Sequence, residues 1–362
     1  MIDAASPPAL TRAASRAGRD RVVGLWLLIC AGMIFVMVIL GGITRLSGSG
    51  LSIMEWDPLM GALPPMSDAE WARVFGLYQG IAQYKHINPD MTIEGFKGIF
   101  WWEYSHRVWG RLIGVVFFLP FLWFLFRGYL GKAHGSRVGA PKLVAIFLLG
   151  ALQGVVGWYM VASGFEDRDS VSQYRLVVHL LMALLIYGLI LWSALDLLTA
   201  AHPEGDRRQA RRLLFHGRLL LALIALELAL GGLVAGLHGG LLYNDFPLMN
   251  GRWIAPDVFG LTPWWRSITE DPGTAQFLHR IGAALITLLV LTLAWRAGRG
   301  PVMPGRAGLL LAALILQVGL GISTLILVVP LPLAVAHQAG AVALLSAALY
   351  FQHGVKRLAA AP

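Results

Sequence analysis

The chain has 362 residues, of which 57% are hydrophobic and 14% charged, and its mean hydropathy is +0.66. That is too apolar for a soluble globule and fits a polytopic membrane protein. The formal net charge of +9 does not indicate a nucleic-acid partner, because Lys and Arg fall in short loops between apolar runs instead of forming one face. The single cysteine, Cys30, lies inside an apolar run; it excludes an intramolecular disulfide and a Cys-ligated metal site and reads as a buried structural thiol.

In chain order, residues 1–23 hold Arg12, Arg16, Arg19 and Arg21 beside Ala, Ser and Pro without a hydrophobic stripe, and read as a mostly disordered cytoplasmic tail. The apolar run 24–43 has about the ~20 residues needed to cross a bilayer. It is therefore expected to remain as the first span and not to be cleaved as a secretory signal. Runs at 107–126, 143–162, 176–198, 219–237, 278–295, 307–329 and 333–351 bring the expected total to eight spans. Basic residues follow every second span: Arg127, Lys132, Arg137 and Lys142, then Arg207, Arg208, Arg211, Arg212 and Arg218, then Arg296, Arg299 and Arg306, with Lys356 and Arg357 near the end. The positive-inside rule puts these residues and both termini in the cytoplasm. The opposite face then carries two long loops, 44–103 and 238–276, whose length suits functional lids. Trp101, Trp102, Trp264 and Trp265 stand just ahead of the next spans, as an interfacial belt would.

The two halves repeat. Leu40-Gly41-Gly42 matches Leu230-Gly231-Gly232, Asp57-Pro58-Leu59-Met60 resembles Phe246-Pro247-Leu248-Met249, and His106-Arg107 matches His279-Arg280. Gln153 matches Gln317, and Val178-His179 matches Ala336-His337, in the same order throughout. A unit of four spans keeps both copies in one orientation, so the expected fold is an all-α polytopic membrane protein of two parallel-duplicated four-helix bundles and not an inverted repeat. The expected division is a tail 1–23, an N-terminal bundle 24–198, a basic cytoplasmic linker 199–218, a C-terminal bundle 219–352 and a tail 353–362.

Of ten histidines, His134, His202, His216 and His353 fall on the expected cytoplasmic side and His86 and His238 in outer loops. The remaining four, His106, His179, His279 and His337, each fall within about the first turn of an even-numbered span, at similar depth near the outer face. Facing helices of a bundle can bring such residues together in pairs, and neutral imidazoles are good axial ligands for haem iron. Zinc fits less well, since it takes three or four ligands and no carboxylate or cysteine recurs beside both pairs. Gly110, Ala183, Ala283 and Ala341, four residues after each histidine, leave room on the same helix face. Arg107, Arg175 and Arg280 lie near that level and could pair with propionates or snorkel to headgroups.

The stretch 101–114, WWEYSHRVWGRLIG, concentrates the chemistry, with Glu103 and His106 on one helix face and Arg107 and Arg111 on the next. The second half lacks several of these groups: Glu103 aligns with Gln276, Arg111 with Ala284, and Thr44-Arg45 with Val234-Ala235. This asymmetry suggests one chemical site and one electron-transfer or structural site. Glu103 could serve as acid, base or electrostatic stabiliser, or could simply pair with Arg107. Glu227, aligned with Met37, has no evident partner in the sequence.

The segment 41–52, GGITRLSGSGLS, the motif Glu103-Tyr104-Ser105-His106-Arg107 and the three later histidines resemble the haem A synthase family over residues 24–352. With no cysteine pair in an outer loop, the chain is similar to the cysteine-free branch that includes alphaproteobacterial and mitochondrial forms. The resemblance implies oxidation of a methyl group of haem O to a formyl group, through successive hydroxylations. It implies haem b on His279 and His337, substrate haem O facing His106 and His179, and a catalytic role for Glu103. Arg45, Arg107, Arg111, Arg175 and Arg280 are then pocket or propionate contacts. The implied location is the cell inner membrane, with the haem sites near the outer face. Implied partners are haem O, an electron donor and the lipid bilayer, with a haem O synthase and cytochrome oxidase assembly factors as further candidates. The alternative is a diheme b-type electron carrier, a quinol oxidoreductase without chemistry on a haem.

Overall fold

The computed structural model describes residues 9–55, 63–130, 138–165, 169–199, 205–298 and 303–360, with side chains from residue 17 onward. Asp57-Pro58-Leu59-Met60, Lys132, His134, Arg137, His202 and Arg299 lie outside the described residues, as do residues 1–8.

Among the described residues eight helices are long and apolar enough to cross a membrane. They are α1 (Ala9–Leu46), α4 (Ile93–Phe126), α5 (Ala140–Ala162), α6 (Gln173–Leu198), α7 (Arg207–Gly236), α9 (Pro272–Gly298), α10 (Pro304–Ile326) and α11 (Leu331–Ala359). Three short helices, α2 (Asp68–Gln79), α3 (Ala82–Ile87) and α8 (Ser267–Glu270), lie in the two long connections. Each expected span corresponds to one of the eight, with 219–237 overrunning α7 by one residue and 307–329 overrunning α10 by three, and the protein is an all-helical, multi-pass membrane protein.

The helix ends differ from expectation where polar sequence continues a helix beyond its apolar run. Residues 9–23 belong to α1 and not to a disordered tail, since the stretch is rich in Ala and Arg, both strong helix formers, and no proline interrupts it. Residues 207–218, expected in a linker, form the first turns of α7, where the Asp206 side chain accepts from the backbone N–H of Arg208 and Gln209. Thr92 caps α4 by accepting from Gly95 N–H, so that helix starts at Ile93, well ahead of the apolar run. His106 is therefore about four turns into α4, and His179, His279 and His337 are about two turns into their helices, deeper than the first turn. At its other end α10 stops at Ile326, short of residue 329, because Val328 and Val329 both take left-handed φ values of 62° and 57°. Asn244 closes that end by donating to the Leu325 carbonyl at 2.9 Å.

Helix α1 packs on α4, α6 and α11, while α7 packs on α9, α11 and α6; α5 lies on α4 and α6, and α10 on α9 and α11. One apolar core links both sets, running from Val23, Leu27 and Cys30 through Ile190, Leu220 and Val290 to Phe351 and Val355. Burying such side chains stabilises by about 1.5–3 kcal/mol each in water, but between helices in lipid close packing carries the association instead. The first long connection is a packed cap: Leu51, Trp71, Tyr78, Phe96 and Phe100 form a second cluster with Val171. Trp71 meets Phe100 edge-on with centroids 4.9 Å apart. The second connection is held by a smaller cluster of Tyr243, Met249 and Ala255. We refer to this end of the bundle as the loop end and to the other as the basic end.

Candidate functional site

All four histidines project near the loop end, and each rests against a glycine of a neighbouring helix. A Cβ added to Gly41 of α1 would stand 3.3 Å from His106 Nε2, and one on Gly231 of α7 would stand 3.2 Å from His279 Cε1. On the other pair of helices the fit is tighter: 2.9 Å from Gly157 of α5 to His179 Cε1, and 2.8 Å from Gly321 of α10 to His337 Cε1. Alanine at these positions would displace the rings. Gln153, one turn before Gly157, reaches His179 Nδ1 at 3.0 Å and donates to the His179 carbonyl at 2.9 Å. Gln317 stands one turn before Gly321 in the same way and packs on Gly340.

The structure brings His279 and His337 together with ring centroids 6.4 Å apart and planes at 88°. That separation would leave room for one metal ion between two imidazole nitrogens at bonds of ~2 Å each. His106 rests on Gly41 of α1 and His179 on Gly157 of α5, and their helices α4 and α6 both pack on α1. Among the described residues no group of three or more His, Cys, Asp and Glu side chains converges.

Glu103 is almost fully buried, at 2% exposure, and is saturated with donors. Ser52 Oγ and Ile53 N–H donate to one carboxylate oxygen at 2.7 and 2.9 Å, while Arg107 Nη2 and Nε donate to the other at 2.6 and 3.1 Å. These four bonds occupy the lone-pair sites that a carboxylate offers. Arg107 also donates to the carbonyls of Ile53 (2.7 Å) and Glu55 (3.1 Å). The pair therefore clamps the chain that leaves α1 onto α4.

The second half contains the same clamp with inverted polarity. Gln276 Nε2 donates to the carbonyls of Gly239 (3.0 Å) and Tyr243 (3.2 Å), and Arg280 donates to Gln276 Oε1, Tyr243 O and Leu248 O. Where the first connection presents donors the helix carries an acid, and where the second presents carbonyls it carries an amide. The difference between Glu103 and Gln276 thus has a local hydrogen-bonding cause, and their asymmetry alone does not mark a chemical site.

The other expected arginines are placed as follows. Arg45 crosses between the halves, donating to the Ala235 carbonyl at 3.1 Å and lying 3.2 Å from His238 Nε2; its Nε is buried without a hydrogen bond. Burial, helped by the Arg45 charge, holds the His238 imidazole below its ordinary value of 6.5. Arg175 donates to the Tyr159 carbonyl at 2.8 Å and covers that ring at 3.9 Å. Arg111 stands one turn beyond Arg107, half-buried. In the cap, hydrogen bonding from Arg73 holds the Glu55 carboxyl below the usual range.

Sequence reasoning missed two features. Glu227 has a partner: its Oε1 lies 2.9 Å from His279 Nδ1. Gly157 and Gly321 were not singled out, although they sit four residues after the matched Gln153 and Gln317.

Eight helices long and apolar enough to cross a membrane, among the described residues, with four histidines each seated on a glycine near the loop end, define a polytopic membrane protein. Residues 24–349 match the family of cytochrome oxidase assembly proteins designated COX15-CtaA, and the chain belongs to that family. It is 47% identical to a haem A synthase of Nitrosospira multiformis over 93% of this chain and 94% of that protein. It is 47% identical to one of Rhodospirillum centenum, covering 93% and 89%, and 45% identical to one of Nitrosomonas eutropha, covering 91% and 92%.

Proposed function

We propose that this protein is a haem A synthase, an oxidoreductase that converts a methyl group of haem O to the formyl group of haem A. His279 and His337 hold a resident haem b, and His106 and His179 face the iron of the substrate. The observation that carries the two-site reading is the repeated seating of each histidine on a glycine of a facing helix. Relatives named haem A synthase, matched over nine-tenths of this chain, support the reaction.

A bound haem supplies one-electron and oxygen chemistry; the chain's own residues bind and orient it. Glu103 and Arg107 fix the connection 51–55 over the substrate histidines, so Glu103 acts as a positioning residue one turn from His106. Arg45 joins the two halves above the sites, and its free Nε, like that of Arg280, is a donor suited to a propionate. The halves form a parallel duplication: α1 with α4 and α6 corresponds to α7 with α9 and α11, and the α6–α7 packing to that of α11 with α1. By the positive-inside rule the basic end is cytoplasmic, the loop end is outer and the membrane is the cell inner membrane. The haem O substrate reaches the site from a haem O synthase or from within the bilayer, and an electron donor serves the haem b half.

Pigment extraction from protein purified out of a haem O-producing host tests this function. Haem O or haem A recovered together with haem b is the expected result. Haem b alone, at two per chain, would instead establish the diheme electron carrier.

A further inference from the structure

Among the four histidines, His279 alone has a carboxylate beside its ring, among the described residues. Glu227 lies in the interior of α7, one turn before the glycine that cradles the same ring, with its side chain only 14% exposed. It is pressed onto α9 at Gly282, where a Cβ would collide with its carboxylate. Its Oε1 is 2.9 Å from His279 Nδ1 but off the line of an aligned N–H bond, and Oε2 and Nδ1 are both buried without hydrogen bonds. A buried imidazole nitrogen without a hydrogen bond, 2.9 Å from a carboxylate oxygen, forms a contact that is completed when the ring turns into line as it is drawn to a ligand. A histidine that binds iron through Nε2 carries its proton on Nδ1, and a carboxylate on that proton fixes the ring and strengthens its donation to the metal.

In the first half the matching position is Met37, whose methyl group packs on Gly110. Among the described residues no carboxylate forms an ion pair with the His106 ring. The helices, the glycine and the histidine are repeated, but the group that would anchor the ligand ring is not.

We infer that Glu227 is a positioning residue that accepts the His279 Nδ1 proton, holding one haem as a permanent low-potential cofactor, while Met37 leaves the opposite haem exchangeable as substrate and product. This rests on His279 being a haem b ligand. An electron-rich axial imidazole favours ferric over ferrous iron, so losing the carboxylate should raise the midpoint potential. Removing such a partner typically costs 10–100-fold in metal affinity; a tenfold change in the ferric-to-ferrous preference corresponds to about 59 mV for one electron.

The test is potentiometric titration of haem b in the purified full-length protein, with Glu227→Gln, Glu227→Met and His279→Ala compared. Glu227→Gln, which keeps an acceptor but no charge, should raise the midpoint with haem b content intact. Glu227→Met, copying the first half, should raise it further and let haem b exchange against added haem at least tenfold faster. An unchanged midpoint and exchange rate in both Glu227 variants, with His279→Ala losing haem b, overturns the role of Glu227 alone. Retention of haem b by His279→Ala overturns the ligand assignment beneath it. If Glu227→Met fails to fold, the Glu227→Gln midpoint decides.

Discussion

Replacing Glu103 with alanine tests whether this acid holds structure or performs chemistry. Breaking a buried ion pair by removing one partner costs about 3–5 kcal/mol. Arg107 retains the Ile53 and Glu55 carbonyls, and its side chain is 14% exposed, which points to the lower end, about 3 kcal/mol. Ser52, only 1% exposed, and Ile53 N–H lose their acceptor as well, adding about 1–3 kcal/mol. The connection 51–55 should therefore open more readily by at least about 3 kcal/mol, which is on the order of a hundredfold or more in its opening equilibrium. Hydrogen exchange at Ile53 in detergent-solubilised protein measures that directly. We expect exchange accelerated by this factor, haem b retained and haem A formation lost together with the ordered connection. Unchanged exchange at Ile53 with turnover abolished would refute the clamp and return Glu103 to a direct acid–base role.

The reversed clamp makes Gln276→Glu informative. A carboxylate there faces the Gly239 and Tyr243 carbonyls instead of donating to them; each carbonyl keeps one other donor, Leu242 N–H and Arg280 respectively, so the loss of two hydrogen bonds should lower stability by about 1–3 kcal/mol, seen as a lower thermal midpoint. In the glycine cradles, Gly321→Ala and Gly157→Ala should displace the ring they touch and empty its site, whereas Gly41→Ala and Gly231→Ala, with 3.2–3.3 Å available, should weaken haem retention without abolishing it; equal effects across all four would contradict the packing argument. The Arg45–His238 contact should be pH-sensitive. Because His238 is held below 6.5 in the folded protein, the unfolded chain binds its proton first, so the stability present above pH 6.5 falls as pH drops below it. His238→Gln should flatten that part of the thermal midpoint profile between pH 7 and 5, and an unaltered profile would remove the contact from the account.

The eight spans were legible because crossing a bilayer demands a long apolar run, and no competing element satisfies that demand. Their ends were not, since beyond the hydrocarbon a helix is continued or stopped by caps such as Thr92 and Asp206, and by the paired left-handed valines after α10. The histidine set was legible through the repeat, and so was the difference between Glu103 and Gln276. Its cause was hidden, because it depends on whether donors or carbonyls of a distant connection face the helix. Glu227 could have been found: aligning it with Met37 and stepping one turn to Gly231, the residue matched to Gly41, places it beside His279. Only the repeat and the helical period used together carry that signal.

The central claim is that two histidine pairs serve two different haems. Haem b and haem O plus haem A should be quantified per mole of protein in four single variants, His106→Ala, His179→Ala, His279→Ala and His337→Ala. The account predicts that the last two lose haem b, whereas the first two keep haem b and lose haem O and haem A. Loss of haem b from His106→Ala or His179→Ala, with the other two variants fully loaded, would contradict it.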